Sequence, residues 1–382
     1  MKSLARFFLF LLLALLLAGG GAGFYAYHAA RNFLNTPANV ALGEEERFFY
    51  LEVPLGSSLD QVAERLYAEG GISDARKFRL LGRWKRVAGR IKAGEFEFST
   101  GWKPGQVLDQ LVSGRSLLHR VTIPEGLPWW EVGRILEENG FARFADFEAC
   151  VKDARLMRRY GIPFATAEGF LFPDTYMLDR PSSITRAHAE NIVAVMVQNF
   201  WTSTSAIWQE AAHKAGLRQG EGVEVTASGQ VIASFVPLYA RKFPAEVKNL
   251  VILASLTEKE SAVPEERPRV SGVYVNRLRA GMLLQCDPTI IYGLGPGFKG
   301  PILRSQLRDA SNLYNTYKFA GLPPGPICSP GLQALDAAFR PEDHRYLYFV
   351  ATGKPGGRHV FSRTLAEHDR AVQDYRKATE RR

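Results

Sequence analysis

Two carboxylates, Glu258 and Glu260, close a helix-compatible run from Leu250 to Val263 that stops at Pro264. Proline cannot continue a helix, and it biases the residue before it away from helical geometry. A helix turns about 100° per residue, so Glu260 falls within about 20° of Leu253, inside the apolar stripe. Glu258 points more than about 100° away from it. We therefore expect Glu260 to face the packed interior and Glu258 to face water.

This placement would give Glu260 a defined chemistry. A carboxyl group in apolar surroundings is harder to ionise, so its pKa rises. It can then hold a proton near neutral pH and deliver it to a leaving group. The alternative is that Glu260 is an ordinary acid at a helix end, which reaches solvent or pairs with Arg267.

Segments dense in turn residues, aromatics, acids and amides surround this run in the sequence. Aromatic rings stack on the faces of pyranoses, and planar polar groups bind hydroxyls, so together these segments predict a loop-lined cleft for sugars. Each segment alone could be an ordinary turn, and Phe170 and Phe172 could simply be core. The candidate substrate-binding residues, chosen by side-chain chemistry, are Glu168, Asp174, Gln285, Asp287, Tyr292, Asn315 and Tyr317.

Composition narrows the class of protein. The 382 residues carry a net charge of +9, with 46% hydrophobic and 12% aromatic residues, which is enough for two domains and favours an anionic partner. No nucleic-acid-binding motif is present, so nucleic acid is not favoured. The three cysteines Cys150, Cys286 and Cys328 form no CxxC, and there is no HExxH. We therefore expect no metal and no cofactor.

The N-terminus predicts a membrane anchor. Phe7 to Tyr27 contains no charged residue and is long enough to cross a bilayer. Lys2 and Arg6 precede it and favour a cytoplasmic location for residues 1–6. A linker follows over 28–46. The alternative is a cleaved signal peptide with Phe7 to Leu17 as its apolar core. Both interpretations place the body of the protein outside the cytoplasm.

A repeat follows the linker. A strand over Phe48–Val53 leads through a proline turn into a helix over Asp60–Tyr67, and a similar pattern recurs 70 residues later from Ile123. Gly94–Phe98 alternates as a closing strand. The first copy, residues 47–116, resembles a LysM module, which implies a βααβ subdomain typical of proteins that hold peptidoglycan. A generic turn-into-helix unit without sugar contact is the alternative.

The motifs in their order resemble the endolytic murein transglycosylases, the YceG-like family. The resemblance rests on Leu253–Ala262, Glu168–Tyr176, Gln285–Thr289, Tyr314–Tyr317 and Gly321–Pro326, and on the tail at Tyr346–Val350 and His359–Ser362. It implies an α+β fold with a single N-terminal transmembrane helix and a mixed α/β catalytic domain over 117–382, which carries a lysozyme-like catalytic helix.

The resemblance also implies a reaction and a location. It implies a lyase of the inner membrane that cuts the MurNAc–GlcNAc bond within nascent glycan strands and leaves 1,6-anhydro ends. Glu260 falls on the family's catalytic glutamate. Peptidoglycan strands are the implied substrate, and peptidoglycan synthases are possible partners. A hydrolytic muramidase with Glu168, Asp174 or Asp287 as second carboxylate, and a non-catalytic wall-binding anchor, remain as alternatives.

One interval departs from the family pattern. Residues 201–247 look long, with an alternating piece at Val223–Ala227 and a helix-like stretch from Gln230 to Arg241. This indicates an added lobe or a partner surface.

If Glu258 faces solvent, Glu258→Gln should have little effect.

Overall fold

A computed structural model describes residues 2–54, 56–114, 116–180, 184–217 and 233–380, and within these ranges it describes the side chains of residue 17 and of residues 19 to 379. The chain divides into two compact units, one of Met1–His119 with Met177–Ile184 and one of Arg120–Tyr176 with Thr185–Arg382. Helices predominate, and the strands of the described part form small two-stranded sheets, β1–β2, β3–β4 and β5–β6. The α+β class expected from the sequence is confirmed.

The first unit follows a β–α–α–β order between a long N-terminal helix and a short closing helix. Its elements are α1 (Lys2–Asn35), α2 (Ala38–Leu42), β1 (Phe48–Val53), α3 (Leu59–Ala68), α4 (Ala75–Trp84), β2 (Gly94–Ser99) and α5 (Pro104–Ser113). β1 pairs antiparallel with β2, from Phe48 opposite Ser99 to Val53 opposite Gly94. Alternate strand residues and one face of each helix enclose a core that includes Leu66, Phe78 and Phe98.

Side-chain caps fix where the two central helices of this unit begin. The Ser58 hydroxyl accepts from the Gln61 amide, and the Gln61 side chain accepts from the Ser58 amide, which is a capping box at the start of α3. Asp74 accepts from the Lys77 amide at the start of α4. The turns between them are therefore set by local sequence.

The predicted membrane segment, residues 7–27, lies within α1. Its side chains up to residue 16 lie outside the described part of the structure. No helix formed by described residues is both long and apolar enough to span a bilayer.

The second unit is mostly helical. After β3 (Leu118–Ile123) come α6 (Trp129–Glu138), α7 (Phe144–Val151), α8 (Ala154–Arg159), β4 (Asp174–Asp179), α9 (Arg186–Ser203), α10 (Ser205–Lys214), α11 (Leu238–Lys242) and α12 (Pro244–Glu260). A 3-10 turn (Pro264–Glu266) then leads to α13 (Arg267–Arg279), α14 (Asp287–Leu294), α15 (Arg304–Arg308), α16 (Leu332–Phe339), β5 (Tyr348–Ala351), β6 (His359–Ser362) and α17 (Leu365–Glu380).

The C-terminal half of helix α12 is enclosed by protein rather than lying at its surface. It packs against α16, α13, α11 and α14, and every residue from Val251 to Thr257 is buried. The expected division into an apolar stripe and a solvent face is therefore wrong for this helix. A helix packed on several sides has no water-facing side except near its ends. Lys259 is exposed, whereas the neighbouring Glu258 is not.

The described part of the long interval packs into the core. Trp201 and Trp208 are almost fully buried, and their ring centroids lie 5.4 Å apart. The Trp208 ring stacks on Tyr239 of α11. Of the helix predicted from Gln230 to Arg241, the described residues from 233 onward form a helix over Leu238–Lys242, because Pro237 begins a helix and cannot continue one. Residues 218–232, including the predicted Val223–Ala227 piece, lie outside the described residues.

Close packing against α12 restricts one glycine in particular. Gly169, which follows Glu168, has φ +83°, and a Cβ built there would lie 2.7 Å from Val251 Cγ1 and 2.7 Å from Pro326 Cγ. A side chain at this position would meet both backbone strain and overlap. The residue therefore lets the Glu168 loop approach α12 and the Pro-rich loop together.

We expect Gly169→Ala to destabilise the protein more than Gly281→Ala. Gly281 also has a positive φ, +64°, but nothing lies within 4 Å of its virtual Cβ. Left-handed strain alone costs roughly 1–2 kcal/mol. Overpacking at Gly169 adds roughly 1–3 kcal/mol. Urea unfolding of both variants measures the difference, and equal losses of unfolding free energy would contradict the packing assignment.

Candidate active site

Glu260 occupies the last position of α12, where part of the residue remains accessible to solvent. The protein packed around its carboxyl removes hydration and so raises its pKa above the usual value, and the charge of Asp287 acts in the same direction. The Cys286 thiol, His359 and the Tyr274 hydroxyl oppose this rise. The raised pKa expected for Glu260 is thus found.

Two buried donors lie against this carboxyl. Burial and the Glu260 charge raise the pKa of the Cys286 thiol well above its usual value, so the thiol stays neutral. Tyr274 is 1% exposed, and within the described structure its hydroxyl has no hydrogen bond of ordinary length and angle. Its interactions with Glu260 and Cys286 are therefore longer contacts. Both donors come from segments outside α12.

The segment carrying Cys286 is held from two directions. Arg277 of α13 donates from Nη1 to the Leu284 carbonyl oxygen over 2.8 Å. Thr316 accepts the Cys286 amide at Oγ1 over 2.9 Å. Gln285 between them has φ +52°, which is uncommon for a residue other than glycine, and its side chain is exposed. Strain of this kind clusters at functional sites when surrounding bonds enforce it.

Asp287 and Tyr317 form a hydrogen-bonded pair beside Glu260. The Tyr317 hydroxyl donates to Asp287 Oδ1 over 2.6 Å. Burial raises the pKa of Tyr317, as do Asp287 and Glu260, so the phenol remains a donor. The structure therefore brings three of the predicted residues, Gln285, Asp287 and Tyr317, to the end of α12 with Glu260.

Glu258 lies in a different environment from the one expected. Its side chain is 6% exposed and accepts from Arg267 Nη2 over 2.8 Å and from the Gly331 amide over 3.0 Å. The expectation that it faces water is wrong, because α12 is enclosed up to its last turn. The alternative pairing of Glu260 with Arg267 is also not found, since Arg267 bonds Glu258 instead. Burial raises the pKa of Glu258, while the Gly331 amide and Arg267 oppose the rise.

The Glu258–Arg267 ion pair lies where three chain segments meet. Arg267 Nη2 also lies 3.6 Å from Glu125 Oε2, in the Pro-Glu-Gly turn that follows β3. Lys259 donates to the Gly126 carbonyl oxygen over 3.2 Å, and the Gly126 amide donates to the Ser329 carbonyl oxygen over 2.9 Å. The turn after β3, the Pro-rich loop and the end of α12 are therefore fastened together on the side opposite to Cys286.

Comparison with known proteins identifies the family. Residues 51–374 match the model of the YceG-like family. The chain belongs to the YceG-like family. It is 26% identical over 340 residues to the endolytic murein transglycosylase of Bacillus subtilis (strain 168), covering 85% of this chain and 84% of that protein. It is 25% identical over 392 residues to the endolytic murein transglycosylase of Streptococcus pneumoniae serotype 2, covering 95% of this chain and 63% of that longer protein.

A solved structure supports the same relationship. The crystal structure of a YceG-like protein from Listeria monocytogenes superposes with a TM-score of 0.51 at 26% identity. The alignment covers 85% of this chain and 98% of that one. The resemblance seen in the motifs is thereby confirmed.

Glu168 of this YceG-like protein is a buried carboxyl rather than an exposed ligand. It is 1% exposed, and its carboxyl accepts from the Trp129 amide over 3.1 Å and from the amide of the next residue, Gly169, over 3.3 Å. Burial raises its pKa to about 8, although these amides and the Tyr292 hydroxyl act against the rise. The Tyr292 ring centroid lies 4.9 Å from those of Trp130 and Tyr314. Glu168 therefore anchors one member of an aromatic row formed by Trp130, Tyr292 and Tyr314.

Two other predicted residues bond within the protein. The Asn315 side chain is fully buried, and its Nδ2 donates to the carbonyl oxygens of Gln306, Leu307 and Asp309. That amide nitrogen has no donor left for a sugar, so Asn315 shapes the loop. Asp174 is exposed on β4 and accepts from Asn199 Nδ2 over 2.8 Å. Its described bonds tie β4 to α9 and reach neither Glu260 nor Glu168.

Sequence reasoning missed the groups that surround the two acids of α12. Tyr274 and Arg267 lie at opposite parts of α13, and His359 lies on β6, where it bonds Glu266 over 2.8 Å. Helical spacing offered a signal for Tyr274, since it belongs to the stripe that includes Val270 and Val273. It gave no signal for His359, because that contact depends on the tertiary return of the chain.

We expect Glu258→Gln to destabilise the protein by roughly 3 kcal/mol, because it leaves Arg267 buried with a weakened partner. Combining it with Arg267→Met should restore much of this loss, since neither charge is then buried alone. Denaturant unfolding of the single and double variants measures the coupling. Glu265→Gln, at an exposed neighbouring acid, is the control. A loss no larger than that of the control would contradict the buried ion pair.

Glu168 should make the protein less stable as pH rises. Its folded pKa of about 8 exceeds its unfolded value, so between roughly pH 4.5 and 8 the folded state holds a proton that the unfolded chain has released. The unfolding free energy should fall through that window by up to about 1.4 kcal/mol per pH unit.

We expect Glu168→Gln to remove this slope, because the amide does not titrate yet can still accept from the Trp129 amide. Urea unfolding across the pH window measures it. Glu131→Gln, at an exposed acid of α6, should leave the slope unchanged. A slope as steep in Glu168→Gln as in the parent protein would show that Glu168 is ionised when folded.

Proposed function

We propose that this YceG-like protein is an endolytic murein transglycosylase, a lyase that cuts the MurNAc–GlcNAc β-1,4 bond within glycan strands with Glu260 as its acid and then its base. The observation that carries the proposal is a carboxyl with a raised pKa, on a partly exposed residue at the end of a buried helix segment. The Bacillus and Streptococcus relatives, which bear the name of this activity, support it over most of the chain.

The first step is protonation of the leaving group. Glu260 is held protonated by the surrounding protein and by the charge of Asp287, and it donates to the glycosidic oxygen as the C1–O bond breaks. The GlcNAc side leaves as an alcohol. The Cys286 thiol and the Tyr274 hydroxyl then stabilise the carboxylate that Glu260 has become, since both favour its charged form.

The second step closes the sugar on itself. The Glu260 carboxylate takes the proton from the C6 hydroxyl of the MurNAc residue, whose oxygen attacks C1 and forms the 1,6-anhydro ring. Glu260 ends protonated, ready for the next strand. An intramolecular nucleophile has a high effective molarity, so no external water is required.

The substrate contacts follow from exposure and chemistry. Gln285 projects from a strained backbone next to the segment that bears Cys286, and the Asp287–Tyr317 pair offers a carboxylate and a phenol. Tyr292, with its ring in a row beside Trp130 and Tyr314, suits the stacking of a pyranose face. Glu168 supports Tyr292 from below rather than touching sugar.

One observation favours a second candidate, a hydrolytic muramidase. A glycosidase needs a second carboxylate within reach of the first. Of Glu168, Asp174 and Asp287, only Asp287 interacts electrostatically with Glu260. Glu168 is protonated near neutral pH and Asp174 bonds Asn199, so hydrolysis would need Asp287 as base.

The rest of the molecule fits a wall enzyme held at the inner membrane. We propose residues 7–27 as its single membrane span, with the body on the periplasmic side. The β–α–α–β unit over 47–116 would serve as a LysM-like module that holds glycan, and residues 117–382 as the catalytic domain. Peptidoglycan synthases are the natural neighbours of such an enzyme.

Digestion of purified glycan strands by the full-length protein, followed by mass analysis of the new ends, tests the proposal. The lytic product lacks one water relative to the hydrolytic product. Glu260→Gln should lower kcat by about a hundredfold or more, because it removes the proposed general acid. Glu265→Gln is the matched control, since it changes a nearby exposed acid.

The outcomes separate the candidates. Anhydro ends formed by the parent and by Asp287→Asn support the lytic scheme. Ends that contain the extra water, lost in Asp287→Asn, support the muramidase. Strand shortening by Glu260→Gln at the parent rate would overturn both enzymatic schemes based on Glu260.

A further inference from the structure

The first unit concentrates positive charge on one short segment. Between Ala75 and Lys92 the chain has eight Lys and Arg residues and no Asp or Glu, while the whole protein carries a net charge of +9. The segment comprises α4 and the loop that follows it. Most of the positive balance of the protein is therefore gathered in eighteen consecutive residues.

Acids on neighbouring elements neutralise only part of this charge. Asp74, Asp60, Glu64 and Asp109 form ion pairs with four of the eight cations: Lys77, Arg79, Arg83 and Lys85. Within the described structure, no carboxylate forms an ion pair with the other four, Arg76, Arg86, Arg90 and Lys92. All four are exposed. An unneutralised basic surface remains at α4 and its following loop.

Large apolar side chains are exposed beside these cations. Trp84 is 78% exposed and Leu80 is 64% exposed, one helical turn apart on α4. Together with Phe33 and Leu34 from the end of α1 they line an open groove of about 300 Å³. The Lys77 ammonium lies 5.8 Å from the Phe33 ring centroid. Exposed Trp and Leu within a basic surface are typical of helices that lie at a membrane interface.

The position of the groove along α1 agrees with that environment. The apolar run of α1 ends at Tyr27, and Phe33 and Leu34 follow six and seven residues later in the same helix. At about 1.5 Å per residue this is about 10 Å beyond the apolar run. A headgroup layer is about 5–7 Å deep on each side of the hydrocarbon core. The groove therefore lies a few ångström beyond the headgroup layer, so that long side chains such as Trp84 can reach the headgroups.

We propose that α4 and the loop to Lys92 bind the anionic lipid surface of the membrane that holds α1, with Trp84 and Leu80 inserted among the headgroups. This rests on the membrane location put forward above. A second copy of the chain fits the surface poorly, because two such faces would oppose like charges. A wall polymer would stack on Trp84 at most and would leave the aliphatic Leu80 without an apolar partner. The contact would fix the height of the first unit above the bilayer.

Protection of position 80 in lipid vesicles tests the contact. The three native cysteines are free and buried, so Leu80→Cys can be labelled selectively by a membrane-impermeant maleimide in the full chain. The comparison is between vesicles of phosphatidylcholine alone and vesicles that also contain phosphatidylglycerol. Tyr67→Cys, on α3 of the same unit and 50% exposed, is the matched control.

We expect Leu80→Cys to react about tenfold more slowly in vesicles with phosphatidylglycerol, and Tyr67→Cys to react equally in both. Adding Arg86→Glu and Arg90→Glu should restore most of the labelling of Leu80→Cys, because each cation near an anionic surface strengthens the contact. Equal labelling of Leu80→Cys in both vesicles would overturn the proposal. Protection that rises with protein concentration in detergent would overturn it in favour of a second copy.

The test separates this contact from the catalytic proposal. Arg86→Glu with Arg90→Glu should leave cleavage of soluble glycan strands in detergent unchanged, since neither residue belongs to the site around Glu260. Loss of strand cleavage in the parent protein would count against the proposed function whatever the labelling shows. Loss of cleavage only in the Arg86→Glu, Arg90→Glu variant would overturn the assignment of these cations to a lipid surface alone.

Discussion

Two carboxylates are carried by the last turn of a helix whose second half is enclosed by protein, and the structure must compensate each of them differently. Burial of an ionised carboxylate is costly unless a partner or several donors satisfy it. Glu258 receives a guanidinium and a backbone amide, from Arg267 and Gly331. Glu260 receives a thiol and a phenol, from Cys286 and Tyr274, and no cation pairs with it among the described ion pairs. The first arrangement fastens segments together, and the second leaves a carboxyl whose proton can move.

The surrounding loops take their places from this difference. Arg267 lies 3.6 Å from Glu125, and Glu258 accepts the Gly331 amide, so the ion pair holds the turn after β3 and the Pro-rich loop on one side of α12. On the other side, Thr316 and Arg277 hold the segment that carries Cys286 and Asp287. These segments are thus fastened to the same helix turn that carries Glu260. A shift of either one would change the hydration of the carboxyl and with it the pKa.

Much of the order of helices and strands follows from local sequence, whereas the burial and the partners of individual acids do not. Ser58 and Asp74 cap their helices as short-range rules require, and strands of alternating pattern pair as β1 and β2. Helix α12 ends at Glu260, three residues before the end at Val263 that Pro264 predicts. The helical wheel predicts that Glu260 lies beside Leu253 and that Glu258 faces water, because a wheel assumes a single buried face. Packing by α16 and α13 on different sides of α12 cannot be seen in α12 itself. Asn315 was misjudged for a similar reason, since amide chemistry suits a sugar and a loop carbonyl equally well.

Glu168 shows how a buried acid can serve a site without reacting in it. Its two amide donors and the Tyr292 hydroxyl stabilise the ionised carboxylate and so lower its pKa. The loss of hydration on burial outweighs them and raises the pKa to about 8. A neutral carboxyl in this place adds no charge beneath the row of Trp130, Tyr292 and Tyr314, so the ring faces remain apolar enough to stack. The same carboxyl cannot take a proton from water near neutral pH, because it already holds one. Burial therefore removes Glu168 from the proposed chemistry and leaves proton transfer, in the reaction proposed above, to Glu260 of α12.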